Sequence, residues 1–415
     1  MGQREVSSIF ARLHQVGHSH LREPAGRLGR LAFVLTSVIV QSCSIHSAYV
    51  NERLASARTV GDAGSDVAET IFLIGDAGDQ EETGREPVLV ALEHQASERP
   101  GRSTIVFLGD NVYPEGMPSR QSEDRAEAER RLEEQLRIAD NSGAKSIFIP
   151  GNHDWGTEND SGRTYRREAE FLASRRNPKL MASPSTGLPG PEVVDIGEIV
   201  RLITLDTEWW LHGSPKPLYQ GSGDELSTRK LFLDSLSNLM ASAGKRSVIV
   251  LGHHPLDSHG THSGFFDWRD HLFPLRNLVP WLWLPLPGVG SLYPFLRNHG
   301  VSSEDFSGGK YREMRAALSA LFGKSTPLVY ASGHEHVLEI LGEAGGRVNI
   351  VSGFGTSEHD PSLTTADNTI FADRNPGFMR LDFLSGGGVR LAAIEPADAG
   401  GTPQEIFSMW LKRGP

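Results

Sequence analysis

Five short runs of apolar and β-branched residues each break off at a glycine, and just behind every glycine stands a side chain able to bind a metal ion. Residues 70–74 lead into Gly75-Asp76-Ala77-Gly78, and 103–108 into Gly109-Asp110-Asn111-Val112-Tyr113. Residues 146–149 lead into Gly151-Asn152-His153-Asp154, 247–251 into Gly252-His253-His254-Pro255, and 328–331 into Gly333-His334-Glu335-His336. Runs of this length and composition read as buried strands. A glycine at the exit lets the chain turn sharply off the sheet. In an open α/β sheet the strand ends share one edge, where ligands bind. The five exits therefore belong to one site, and the fold must supply a common edge for them.

Between the runs the pattern changes to that of helices. Residues 87–97 read as one helix, and 231–243 as another. Residues 122–139 are dense in Glu and Arg with Leu132, Leu136 and Ile138 on one side, the mark of an exposed helix laced with ion pairs. A strand at 200–205 ends in Asp206-Thr207. Later strands, at 337–341, 347–351, 378–383 and 389–394, follow one another without helices between them. Early β/α alternation followed by late hairpins predicts an α/β fold of two packed mixed β-sheets flanked by helices. Gly61-Asp62-Ala63-Gly64 repeats the letters of the first motif, but no strand precedes it, so only the later copy is placed to hold a metal. One stretch departs from the alternation. Residues 265–297 carry Trp268, Phe273, Trp281, Trp283, Tyr293 and Phe295 among five prolines, which forbid a continuous membrane helix. They predict an insertion over 262–310, packed on a domain that runs from 69 to 395 and is followed by a tail, 396–415.

At 415 residues with 38% hydrophobic and 22% charged side chains, the chain has the make-up of an ordinary globular protein. The balance of 41 basic and 52 acidic residues argues against a general affinity for nucleic acid, and no nucleic-acid scaffold role is expected. Cys43 is the single cysteine, which excludes a disulfide within the chain. It follows the apolar run 31–40, too short to span a bilayer as a helix, with Arg22, Arg27 and Arg30 ahead of it. That order matches an export signal over 1–43, and Val40-Gln41-Ser42-Cys43 resembles a bacterial lipoprotein box whose cysteine carries the lipid. The expected location is outside the cytoplasm, either membrane-anchored through the N-terminus or free in the periplasm or medium. Residues 44–68 read as a linker.

The side chains gathered by the five motifs are two aspartates, an asparagine, a tyrosine and three or four histidines. Oxygen and imidazole ligands without a thiolate suit iron, zinc or manganese. Seven ligands exceed the needs of one ion and suit two that share a carboxylate, about 3.5–4 Å apart.

The order GD, GDNxY, GNHD, GHHP and GHEH resembles the calcineurin-like metallophosphoesterases, and within them the purple acid phosphatases. In the wider superfamily the first motif carries a histidine two residues after its aspartate. Here Gly78 stands there, and Tyr113 follows Asp110 by three, which is the purple acid phosphatase arrangement. The resemblance spans residues 70–355 and implies an α-β-β-α sandwich. It implies that Asp76, Tyr113 and His336 hold a ferric ion, that Asp110 bridges, and that Asn152, His253 and His334 hold a divalent ion (Fe, Zn or Mn). His254 falls where the small purple acid phosphatases have tyrosine, which leaves it outside the ligand set. His153 is expected to reach the phosphate or the leaving group, oriented by a carboxylate partner. The second active-site histidine should come from the loop after the fourth motif. His259, followed by glycine, is the closer match, with His262 as the alternative.

The implied activity is hydrolysis of the phosphate monoester of a small substrate by in-line attack of a metal-bound hydroxide. A phosphodiesterase or nucleotide hydrolase on the same fold, and a catalytically silent phospho-ligand receptor, are the competing expectations. The N-terminal reading makes its own prediction. Cys43→Ser should move the protein out of the membrane fraction, and an unchanged distribution would exclude lipidation as the anchor.

Overall fold

The computed structural model describes residues 44–414 apart from 46, 57–65, 81–84, 158–159, 214, 278–281 and 357–360. The export segment 1–43 and the letters 61–64 lie outside the described residues. Two mixed sheets stack face to face with helices on their outer sides. One has seven strands. In it Val67–Ile74, Ser103–Phe107, Lys145–Phe148 and the edge strand Leu180–Ala182 run parallel. Beside Val67–Ile74 the chain's last three strands, Phe378–Leu384, Val389–Pro396 and Pro403–Lys412, are added antiparallel. The other sheet has eight strands. Its parallel centre is Val200–Thr204, Ser247–Leu251, Val329–Ser332 and Val348–Ser352. The expected two-sheet α/β architecture is the one found.

The burial pattern explains the stacking. In the parallel strands both faces are covered, so Val67–Ile74 and Val329–Ser332 are buried almost throughout. Alternate residues face the partner sheet: Ile71, Leu73, Val106, Ile147, Leu202, Ile249, Ala331 and Ile350 form one shared core. The opposite set, Phe72, Phe107 and Phe148, packs under the helices Pro87–Ser97 and Arg125–Ser142. Phe107 and Phe148 stack with ring centroids 4.4 Å apart.

Several segments differ from expectation. Residues 403–412 are no free tail: they form an edge strand paired along the whole of Val389–Pro396, where Met409 is buried. The polar stretch 44–68 is only partly a linker, since Tyr49–Val50 pairs with Thr369–Asp373 and Ser44 is bonded to Leu363. Leu180–Ala182, Glu192–Ile196 and Thr369–Asp373 are strands whose mixed or very short patterns carried no signal. Nor is the charged helix Arg125–Ser142 a purely solvated face. Arg131 donates to the Gly78 carbonyl at 3.0 Å and pairs with Asp79 at 2.6 Å, while Gln135 donates to the Asn111 carbonyl at 2.7 Å. The helix thereby holds the first two motif loops.

Those two loops are also locked to each other. Asp76 N–H donates to the Gly109 carbonyl and Gly78 N–H to the Asp110 carbonyl, both at 3.0 Å. A Cβ on Gly78 would lie 2.4 Å from the Asn111 carbonyl carbon and oxygen. No side chain fits there, which accounts for the missing histidine of the first motif. Gly78→Ala should separate the loops, lowering the melting temperature and the metal content together. Wild-type values for both would show that the loops yield freely.

Candidate metal centre

All five motif loops leave their sheets at the same edge, and the backbone turns sharply as they do. Asp76, Asp110 and His334 adopt φ values of 57°, 56° and 69°, the left-handed region that non-glycine residues rarely occupy. Each such residue costs about 1–3 kcal/mol, an outlay concentrated on the residues that face the site.

Backbone amides aim the two carboxylates. His334 N–H donates to Asp76 Oδ2 at 2.8 Å, and His153 N–H to Asp110 Oδ1 at 2.9 Å. Each aspartate is left with one oxygen turned inward. Around them the other candidates fall into two groups. Tyr113 Oη lies 3.1 Å from Asp76 Oδ1, 3.1 Å from Asp110 Oδ2 and 3.3 Å from His336 Nε2. His336 Nε2 is in turn 3.3 Å from Asp76 Oδ1. On the other side, His253 Nε2 lies 3.0 Å from Asn152 Oδ1 and 3.4 Å from Asp110 Oδ2, and His334 Nδ1 is 3.1 Å from the same Asn152 oxygen. Asp110 Oδ2 belongs to both groups. All seven sequence-predicted ligands are thus brought together.

The donor sets fit cations. His253 turns its Nδ1–H to the Leu108 carbonyl at 2.8 Å, and His334 its Nε2–H to the Glu304 carbonyl at 2.9 Å. Their remaining nitrogens present lone pairs to an amide oxygen and a carboxylate oxygen. Acceptors that crowd together with no proton among them need a positive charge between them. In the first group one phenolic proton faces three such atoms. The electrostatics carry the same message. Burial pushes the Asp76 carboxyl up to about 7. Burial disfavours a charged His253, yet the Asp110 carboxylate overrides it and lifts the imidazole to about 10, which marks a place that favours positive charge. Burial, aided by the neighbouring carboxylates, holds the Tyr113 phenol well above its ordinary range. His336 is pushed down to about 3, chiefly by burial, as suits a neutral ligand.

The flanking histidines differ from expectation. His153 stacks on Tyr113 with centroids 4.1 Å apart and stays about one-third exposed on the solvent side. Its Nδ1 is set by the Pro114 carbonyl at 2.6 Å rather than by a carboxylate partner. The adjacent Asp154 carboxylate instead accepts from the amides of Asn111, Val112 and Gly151 at 2.8–3.0 Å, tying the second motif to the third. His259 is turned to the buried Glu339, 3.0 Å from its Nδ1. His262 is the histidine whose ring lies over His334, with centroids 4.1 Å apart and Asp305 at 3.0 Å from its Nδ1. Arg297 holds Asp305 through Nε at 2.5 Å, and its Nη2 meets the same Asp305 oxygen as His262 and lies 3.1 Å from His262 Nδ1.

His262 and Glu304 stand at the two ends of the aromatic insertion, so that segment forms one wall of the site. Sequence reasoning missed Glu304, Asp305 and Arg131 because none follows a strand-like run. Within the insertion Trp268, Phe273 and Trp283 pack in series, edge-to-face and tilted, with centroids 6.3 and 5.3 Å apart. No helix among the described residues is long and apolar enough to cross a membrane.

Buried clusters of histidine and aspartate at the edge of two stacked sheets are those of a metal-dependent phosphoesterase. The family model described as calcineurin-like phosphoesterase matches residues 69–338, more than half of the chain, and the protein belongs to that family. No curated protein matches it. Among solved structures it is similar to GAP50, the anchor in the inner membrane complex of Plasmodium, with a TM-score of 0.50, 15% identity, and coverage of 83% of this chain and 88% of that one. It is also similar to the purple acid phosphatase PPD1 from yellow lupin seeds, with a TM-score of 0.48, 14% identity, and 82% and 53% of the two chains covered. A dimetal phosphatase from Danio rerio gives a TM-score of 0.46 and 13% identity over 84% of this chain and 99% of that chain. Identities this low bear on the fold alone.

Asp110→Asn keeps the shape of the shared ligand and removes its charge. It should lower the metal content measured by plasma mass spectrometry by at least one ion per chain with the circular dichroism unchanged. An unaltered content would remove Asp110 as the bridge.

Proposed function

We propose that the protein is a phosphatase that hydrolyses phosphate monoesters of small substrates, with the purple acid phosphatase type of metal pair. The observation that carries this reading is Tyr113 Oη standing 3.1 Å from both inward carboxylate oxygens. A phenolate is a hard anionic donor and suits a trivalent ion, so Asp76, Asp110, Tyr113 and His336 would hold Fe(III). Asp110, Asn152, His253 and His334 would hold the divalent ion. When bound, such a pair activates water at neutral pH and offsets the charge that builds on the phosphoryl oxygens.

The protein's own groups supply the rest. His153 and His262 lie on either side of the ligand cluster, one over Tyr113 and one over His334. From there their Nε2 atoms can bind phosphoryl oxygens and hand a proton to the leaving oxygen. His262, backed by Asp305 and Arg297, has the carboxylate partner that such a role calls for. His259 lacks that position, and we assign the second substrate-facing histidine to His262. The N-terminal run and Cys43 support a location outside the cytoplasm, at a membrane.

An aryl phosphate and its diester test the reading. The monoester should be hydrolysed and the diester spared. His262→Ala should lower kcat by about 100-fold with metal retained, and His259→Ala should cost far less. Iron with a visible charge-transfer band that disappears in Tyr113→Phe would support the ferric assignment. Colourless zinc or manganese would remove the purple subtype, turnover of the diester would favour a phosphodiesterase, and hydrolysis of neither ester would favour a receptor.

A further inference from the structure

We propose that Glu208, His254 and Glu304 form a third cation site beside the dinuclear centre. Its ligands are separate from the seven described above, so the site is tested apart from the proposed function, on which only its positioning role rests. Glu208 opens the helix Glu208–Leu211, which follows the strand Val200–Thr204. His254 is the second histidine of the fourth motif, and Glu304 closes the aromatic insertion. His254 Nε2 lies 3.2 Å from Glu304 Oε2 and 3.7 Å from Glu208 Oε2. The three ligand atoms lie within 4.8 Å of one another. Ligands about 2.1 Å from a tetrahedral ion sit about 3.4 Å from one another, and the two measured separations bracket that spacing.

The hydrogen-bond inventory shows what the cluster lacks. Glu208 is 3% exposed, and its Oε1 is engaged by His212 Nδ1 at 2.8 Å. Its Oε2 is buried without any hydrogen-bond partner and faces His254. A proton on Glu208 can sit on Oε1 against His212 Nδ1, and Oε2 is still left without a partner. On its other edge His254 Nδ1 meets the Thr207 hydroxyl at 2.9 Å, so Nε2 is the atom directed at the two carboxylates. The Lys216 ammonium that bears on Glu208 is paired with Glu225 at 3.1 Å. The buried Glu208 oxygen, the His254 imidazole and the partly exposed Glu304 carboxylate are thereby left to share a partner that no side chain provides. A divalent ion provides it. One nitrogen and two carboxylate groups without a thiolate select zinc or manganese in preference to calcium.

The position suggests what the ion does. Through its main-chain carbonyl Glu304 orients His334 at 2.9 Å, and the next residue, Asp305, orients His262. An ion on the Glu304 carboxylate would pin the end of the insertion to the sheet through Glu208 and His254. It is a positioning ion, fixing a ligand of the second metal and the histidine that faces the substrate.

The test is metal stoichiometry on the full chain, loaded with zinc or manganese and desalted. Wild type should hold three ions per chain, and Glu304→Gln, which keeps the carbonyl, should hold two. Anomalous scattering at the edge of the loaded metal, on wild-type crystals, should give a peak between Glu208, His254 and Glu304. Two ions in both proteins, or no anomalous peak at that point, would overturn the proposal without depending on how a variant folds. A single peak at the new site with none at Asp110 would keep it and overturn the dinuclear reading instead.

Discussion

The convergence of ligand atoms on Asp110 Oδ2 is the constraint on which the rest of the structure depends. That oxygen lies 3.1 Å from the Tyr113 hydroxyl and 3.4 Å from His253 Nε2 in an interior that water scarcely reaches. The Tyr113 hydroxyl donates to it, and a buried carboxylate oxygen shared in this way needs positive charge close by. The protein holds the ligand atoms there with rigid backbone. Amides of His153 and His334 fix the carboxylates, and carbonyls of Leu108 and Glu304 fix the imidazoles. Each fixing group comes from a different loop than the side chain it holds. The site is therefore assembled by the packing of loops against loops, and no single segment contains it.

That packing explains the unusual backbone. Three inward-facing residues occupy left-handed conformations, and glycines stand where a side chain would strike a neighbouring loop. Strain of this kind persists only when the surroundings over-determine it. The surroundings are two sheets with both faces covered and a helix, Arg125–Ser142, whose Arg131 and Gln135 reach the first two loops. A charged helix face that looks like a solubilising surface is also a clamp. The aromatic insertion works similarly: its outer rings pack on one another, and its two ends bring His262 and Glu304 to the centre.

The electrostatics separate the groups by role. Near the centre, burial drives Asp76 up, while His253 is raised by the Asp110 carboxylate that faces it. His254 is pushed down to about 4, mainly by burial, although Glu304 lies within reach. Two adjacent histidines in one tetrapeptide are thus shifted in opposite directions, His253 by the carboxylate it faces and His254 by burial.

The sequence by itself determined the two-sheet fold and the five motif loops through local patterns, and the resemblance of those motifs implied the seven candidate ligands. Buried parallel strands are legible as apolar runs, and a glycine with a polar residue after it marks where a strand leaves the edge. It also placed the helices Pro87–Ser97 and Arg125–Ser142 to within a few residues. Only the tertiary structure decided which histidine of the Asp257–His262 loop faces the centre. His259 and His262 are three residues apart with similar neighbours, and the choice was made by Glu339 on one strand and by Asp305 at the end of the insertion. The same holds for Glu208 and Glu304, 96 positions apart in the chain and joined at His254. Local pattern reports burial and turning. Which buried charges meet is set by how the loops pack, and that information is spread over the whole chain.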